Sequence, residues 1–177
     1  KMLKIGFPTA LQMFFEVTAF AGAAFICGLV SAKDIASHQI ALSMASFTFN
    51  LCIGFSVAST VLIGRKLGER DYVGLKKIGI NNLKIVFIFM FVCGLFFIIG
   101  RHILPTFFTK PEDVDVVQLA AKLMIIAALF QLSDGIQVVA LGSLRGIQDV
   151  KIPSIITFIA YWLIAIPLGY VLCVPLK

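Results

Sequence analysis

Two carboxylates stand alone in apolar sequence. Glu16 lies in the run 5–30 and Asp134 in the run 115–144, with no second acid close to either. An ionised Asp at the centre of a membrane helix costs about 2.5–3.5 kcal/mol on insertion scales, so such a group needs a partner or a purpose. Amides sit one helical turn away: Gln12 beside Glu16, and Gln131 and Gln137 on either side of Asp134. Two carboxylates at one level repel when both are ionised, so one of them must hold a proton or share a cation. The chemistry this predicts is reversible loading of a small positive ion, Na⁺ through oxygen ligands or H⁺. Glu16 and Asp134 are the expected cation ligands, with Gln12, Gln131, Gln137 and Asn50 as polar support.

Further groups are expected around them. Gln39, Ser43, Ser46 and Asn50, spaced four, three and four, form a polar stripe that either points into a cavity or bonds neighbouring helices. Phe14, Phe20, Phe130, Tyr161 and Trp162 are expected to offer apolar and cation–π surface for a cationic organic molecule, with core packing the other reading of Tyr161 and Trp162. Arg145 and Asp149 flank a turn at Gly146 and are expected to pair with each other at the membrane rim. His38 reads as a helix-end residue. Cys27, Cys52, Cys93 and Cys173 are scattered singly, with no C-x-x-C and no His at metal-ligand spacing, and read as small apolar fillers. There is no H-E-x-x-H and no Ser/His dyad, so no enzyme and no cofactor is expected.

These residues must be held by membrane helices. Of the 177 residues 60% are hydrophobic and 14% charged, and the mean hydropathy is +1.03. A water-soluble fold of this size could not hide so much apolar side chain. The net charge of +6 does not read as a nucleic-acid surface, because the basic residues cluster between apolar runs without interleaved aromatics. Five runs are long enough to span a bilayer, at about 20 residues each: 5–30, 36–63, 80–104, 115–144 and 153–175. Between the second and third, Arg70 to Lys77 reads as a short amphipathic helix in the interface. Pro167 is expected to kink the fifth span. No signal peptide is expected, and the chain reads as an excerpt of a longer protein.

Alternating spans put Lys1, Lys4, Arg65, Lys66, Arg70, Lys76, Lys77, Lys84, Arg145 and Lys151 on one side. Lys33, Arg101, Lys110, Lys122 and Lys177 fall on the other, diluted by Glu112, Asp113 and Asp115. The richer side is cytoplasmic by the positive-inside rule, so the chain starts in the cytoplasm and the fifth span ends outside, in a plasma (inner) membrane. Depth then follows from helical rise. Glu16 is roughly 18 Å above Lys4, and Asp134 roughly 17 Å above Arg145 on a helix running the other way. Both acids fall near mid-membrane.

With these residues assembled, the chain resembles one lobe of the MATE (multidrug and toxic compound extrusion) transporters, most closely the second, C-terminal lobe of the NorM-like branch. The resemblance is carried by Gly6-x-Pro8…Phe15-Glu16, by Ala36-x-His38-Gln39-Ile40-Ala41, and by Gly64-Arg65-x-Leu67-Gly68. It continues in Asp134-Gly135-x-Gln137-Val138-Val139…Gly142-Ser143-Leu144-Arg145-Gly146-x-x-Asp149 and in Tyr161-Trp162…Pro167-x-Gly169-Tyr170. It implies an all-α integral membrane fold in which residues 1–177 form an incomplete six-helix lobe, lacking its last helix and the other lobe. Parallel repeats of that kind are a known transporter design. It also implies Na⁺- or H⁺-coupled export of amphipathic cations, with the acids matching Glu16 and Asp134 in the cation site and a further acid on the last helix. Where the family pattern often has Tyr four residues before the second acid, this chain has Phe130. The expected partners are small amphipathic cations, membrane lipid and the other lobe of the same polypeptide. The alternatives are a lipid-linked oligosaccharide flippase of the same superfamily, which should need a more basic cavity, and a non-transporting membrane scaffold.

Overall fold

The computed structural model describes residues 2–109 and 114–173. Its helices are α1 (Met2–Val30), α2 (Ala32–Gly68), α3 (Tyr72–Gly100), α4 (Val114–Gly146), α5 (Lys151–Phe158) and α6 (Ile166–Cys173). A short 3₁₀ turn, Leu104–Phe107, lies between α3 and α4. A π-helical stretch, Ile159–Ala165, joins α5 to α6 and makes them one span. Five helical segments are long and apolar enough to cross a membrane, and no strand occurs among the described residues.

The spans outrun the apolar windows read from sequence. α2 begins at Ala32, where the Ser31 hydroxyl accepts the Asp34 N–H at 3.1 Å, and ends at Gly68, so it is longer at both ends than 36–63. The separate interfacial helix expected over Arg70 to Lys77 does not exist. Asp71 caps the Gly74 N–H at 2.8 Å, and α3 runs unbroken from Tyr72 to Gly100. A side-chain cap at Asp71 lets the helix start in polar sequence, before its apolar part begins. The third span stops at Gly100 rather than 104. At Pro167 the departure from α geometry comes just ahead of the proline: the Ile166 N–H bonds the Tyr161 carbonyl five residues back. A proline ring crowds the carbonyl four residues before it, and a wide turn relieves that crowding. Residues 174 and 175, expected to close this span, lie outside the described residues, as do Lys1, Lys110, Glu112, Asp113 and Lys177 and the side chains of Lys4, Cys27 and Cys173.

α2 and α4 form the central pair, and their contacts climb in step along the chain. The Ser37 hydroxyl donates to the Val116 carbonyl (3.2 Å), Thr48 to Gln131 (3.1 Å), Ser56 to the Val138 carbonyl (2.8 Å) and Thr60 to the Gly142 carbonyl (2.8 Å). The two helices are therefore parallel, as spans two apart in an alternating chain must be. Close approach is allowed by Gly142-x-x-x-Gly146: a Cβ at Gly142 would overlap Ser56, and one at Gly146 would lie 2.9 Å from the Thr60 carbonyl. Small residues serve this purpose where lipid supplies no hydrophobic drive between helices. The polar stripe of α2, expected either to face a cavity or to bond neighbouring helices, makes no bond of the second kind among the described residues. Ser43, Ser46 and Asn50 bond their own helix at Gln39, Leu42 and Ser46.

α3 packs on α4 and α2 through Val86, Met90, Gly94 and Phe97. The rest of it, including Phe87, Phe91, Phe96 and Ile99, is exposed, as suits a helix whose outer face meets acyl chains. α1 packs on α2 and on the fifth span rather than on α4. It runs parallel to the fifth span: the Ser154 hydroxyl donates to the Pro8 carbonyl at 2.8 Å, and Phe15 and Phe20 meet Phe158 and Tyr161 in the same order.

Candidate functional site

Glu16 is presented by α1 and Asp134 by α4, two helices whose side chains meet at Phe20–Phe130 and at Gln12–Arg145. Asp134 is buried, 6% exposed, and Glu16 is half-buried. The two are close enough to interact through their charges. Each holds one buried carboxylate oxygen, Oε1 of Glu16 and Oδ1 of Asp134, that accepts no hydrogen bond. Nearly all buried polar atoms in native proteins are paired, and an exception calls for an explanation such as a bound ion or a reactive role. Here two exceptions fall in one place.

Around the acids the structure sorts the expected support. Gln12 is fully buried, one turn below Glu16, and its Nε2 has no acceptor. The Gln137 amide donates to the Tyr161 hydroxyl at 3.3 Å, and Tyr161 lies within electrostatic reach of both acids. These three stay with the pair. Gln131 does not: its carbonyl oxygen takes the Thr48 hydroxyl, and its Nε2 lies 3.3 Å from where a Cβ of Gly94 would stand. It belongs to the α2–α3–α4 packing. Asn50 is exposed and donates to the Ser46 carbonyl at 2.8 Å, a bond within its own helix. A buried amide is drawn to whichever backbone or hydroxyl partner its own turn offers, and sequence spacing does not disclose which.

One neighbour of the acids was missed. Arg145 does not pair with Asp149; among the described residues the two form no ion pair. Instead its Nη2 donates to Gln12 Oε1 at a long 3.5 Å, and its charge reaches Glu16. Side chains on a helix lean toward its N-terminus. At the end of α4, that lean carries the guanidinium back toward mid-membrane. Cys52 of α2 is buried in the apolar cluster of Val86, Met90, Val138 and Val139, the small filler the sequence led one to expect.

An aromatic group lies along α1 next to the acids. Phe20 meets Phe130 edge-on at 6.1 Å and Tyr161 at 6.3 Å. Phe15 packs on Phe158 at 4.9 Å and Trp162 at 6.1 Å, and Phe14 on Phe15 at 6.1 Å. Phe14, Phe130 and Trp162 are exposed, so they offer ring faces to a ligand. Phe15 and Phe158 were not among the expected aromatics, although Phe158 and Trp162 stand at i, i+4 spacing and stack at 6.3 Å.

The donors present suit a small hard cation or a proton. Two carboxylates, an amide and a phenol supply oxygen ligands, and no group of three or more His, Cys, Asp or Glu that would hold a metal occurs among the described residues. Na⁺ would be held by Glu16 and Asp134; a proton would sit on either.

A family model described as MatE matches residues 8–171. The chain is 39% identical over 172 residues to multidrug resistance protein NorM of Photobacterium profundum, covering 97% of this chain and 37% of that protein. It is 38% identical over 172 residues to the probable multidrug resistance protein NorM of Pasteurella multocida, with the same two shares. Against multidrug resistance protein MdtK of Proteus mirabilis it is 38% identical over 168 residues, covering 95% of this chain and 36% of that protein. The chain thus spans a little over a third of the length of these relatives.

Proposed function

The chain belongs to the MatE family and is a multi-pass membrane protein, and from that premise we propose that it forms one lobe of a cation-coupled antiporter exporting amphipathic, cationic organic compounds. Glu16 and Asp134 take up the coupling ion, Na⁺ or H⁺. The observation that carries this reading is the pair of buried, unpartnered carboxylate oxygens on α1 and α4, within reach of each other's charge. The relatives named multidrug resistance proteins support the substrate class.

In this mechanism the ion acts by differential affinity. When it binds between α1 and α4 it favours the arrangement that brings the two acids together, and that preference is all it can contribute to moving the equilibrium. Tyr161 and Gln137 orient the site, and the aromatic surface of Phe14, Phe20, Phe130 and Trp162 receives the organic cation. The start of the chain lies in the cytoplasm and the fifth span ends on the outer side of the plasma membrane, because Arg65, Arg70, Lys76, Lys77 and Lys151 lie at or next to the α2–α3 and α4–α5 turns, on one side of an alternating chain.

The test is drug efflux and cation uptake by the full-length transporter carrying Glu16→Gln or Asp134→Asn. Each variant is expected to lose ion-coupled export while still reaching the membrane. Coupling at the unaltered level in both would end the proposal.

A further inference from the structure

We propose that Arg145 is a tethered competitor for the coupling ion: its guanidinium moves onto Glu16 when the acids are empty and is pushed back onto Gln12 when an ion enters. This rests on Glu16 and Asp134 being the ion site. Arg145 is half-buried, its Nε has no acceptor, and no carboxylate lies within ion-pair distance of it among the described residues. An uncompensated buried charge is strongly destabilising, so a guanidinium whose charge already reaches Glu16 is expected to close onto that carboxylate unless something holds it. What holds it is Gln12, whose carbonyl oxygen takes Nη2 at 3.5 Å, a bond at the weak end of the range.

Gln12 and Glu16 share one face of α1, four residues and so about 6 Å of rise apart. Glu16 Oε1 is itself buried without a donor. The guanidinium thus rests on Gln12, one helical turn along α1 from Glu16, and its charge is felt at Glu16. A guanidinium has several donors and a long stem, so exchanging one oxygen for the next requires only a change of rotamer. Sodium or a proton at Glu16 and the guanidinium at Glu16 exclude each other, because both compensate the same charge. Asp149, the other acid near Arg145 in sequence, plays no part, and Asp134 feels the exchange only through Glu16.

Two variants should move ion affinity in opposite directions. The full-length protein is purified in detergent, and its Na⁺ dissociation constant and its proton uptake are titrated separately. Arg145→Gln removes the competitor and is expected to tighten binding of the coupling ion by about tenfold, within the usual span of coupling energies. Gln12→Ala removes the group that restrains the guanidinium and is expected to weaken it by a similar factor. Arg145→Lys keeps a positive charge but offers fewer donors, and is expected to tighten binding by less than Arg145→Gln does. Weaker binding in Arg145→Gln, or no change in either variant while Glu16→Gln abolishes binding, overturns this inference and leaves the ion site standing. If Glu16→Gln and Asp134→Asn bind the ion normally, the site assignment itself falls. Should Arg145→Gln fail to fold, the Gln12→Ala and Arg145→Lys titrations decide alone.

Discussion

Gly142 of α4 lies against Ser56 of α2 so closely that a Cβ at Gly142 would overlap both the Ser56 carbonyl and its hydroxyl. Neither obstacle can step aside, since one is main chain and the other is bonded to the Val138 carbonyl at 2.8 Å. Gly142→Leu therefore forces the central pair of helices apart. Overpacking of this kind costs about 1–3 kcal/mol, and here the loss extends to the Thr60 bond one turn on. Thermal unfolding of the full-length protein in detergent is expected to shift down clearly. A substitution at Gly54, where a Cβ would meet nothing within 4 Å, should leave it nearly unchanged.

Thr48 and Gln131 give a second test, one that separates packing from ion binding. Thr48→Val leaves the Gln131 carbonyl oxygen buried without a donor, beside an Nε2 that already lacks an acceptor. A buried polar atom left unpaired costs about 1–3 kcal/mol. Stability should fall by that order while the ion dissociation constant stays unchanged, as measured by unfolding and by cation titration of one preparation. A large loss of ion affinity would return Gln131 to the site.

At the elbow between α2 and α3, Lys66 binds Glu69 at 2.7 Å and Asp71 at 3.0 Å, and Arg65 binds Glu69 at 2.9 Å. The Lys66 and Arg65 bonds hold the Glu69 carboxyl below its ordinary 4.5. The Gly74 N–H, with Lys66 behind it, holds Asp71 below 3.8. Because both carboxyls are depressed in the folded state, their contribution is present at neutral pH and is lost only as pH falls through the folded-state values. Hydrogen exchange at the Gly74 amide, corrected for its intrinsic pH dependence, should stay protected as pH falls to the ordinary Asp value of 3.8 and lose protection only below it. Lys66→Ala should bring that loss to higher pH.

Phe20 touches Phe130 and Tyr161 from α1, so it ties the ring surface to the helix carrying Glu16. Phe20→Ala removes two aromatic contacts worth about 0.5–1.5 kcal/mol each. Binding of an aromatic cation such as ethidium, followed by fluorescence, is expected to weaken by several-fold. Leu substitution should recover the packing but not the full affinity.

The five spans were legible because continuous apolar sequence is a strong signal at membrane length, and Glu16 and Asp134 because a charge there stands out. What sequence concealed has physical causes. Span ends such as Ala32–Gly68 lie in polar sequence, where caps rather than hydropathy set the boundary. The α2–α4 contact is made by Ser37, Thr48, Ser56 and Thr60, small hydroxyls whose burial depends on which face meets the partner. Arg145 read as a rim residue because spacing fixes the depth of its Cα but not the reach or lean of its side chain.

The wide turns of Ile159–Ala165 have a consequence for how Tyr161 and Trp162 are aimed. Such a coil holds a surplus residue relative to a regular α-helix, and taking it up elsewhere would rotate what lies beyond by about 100°. The last stretch of the fifth span is therefore wound on a spare notch, and the phenol facing the two acids sits inside the slack.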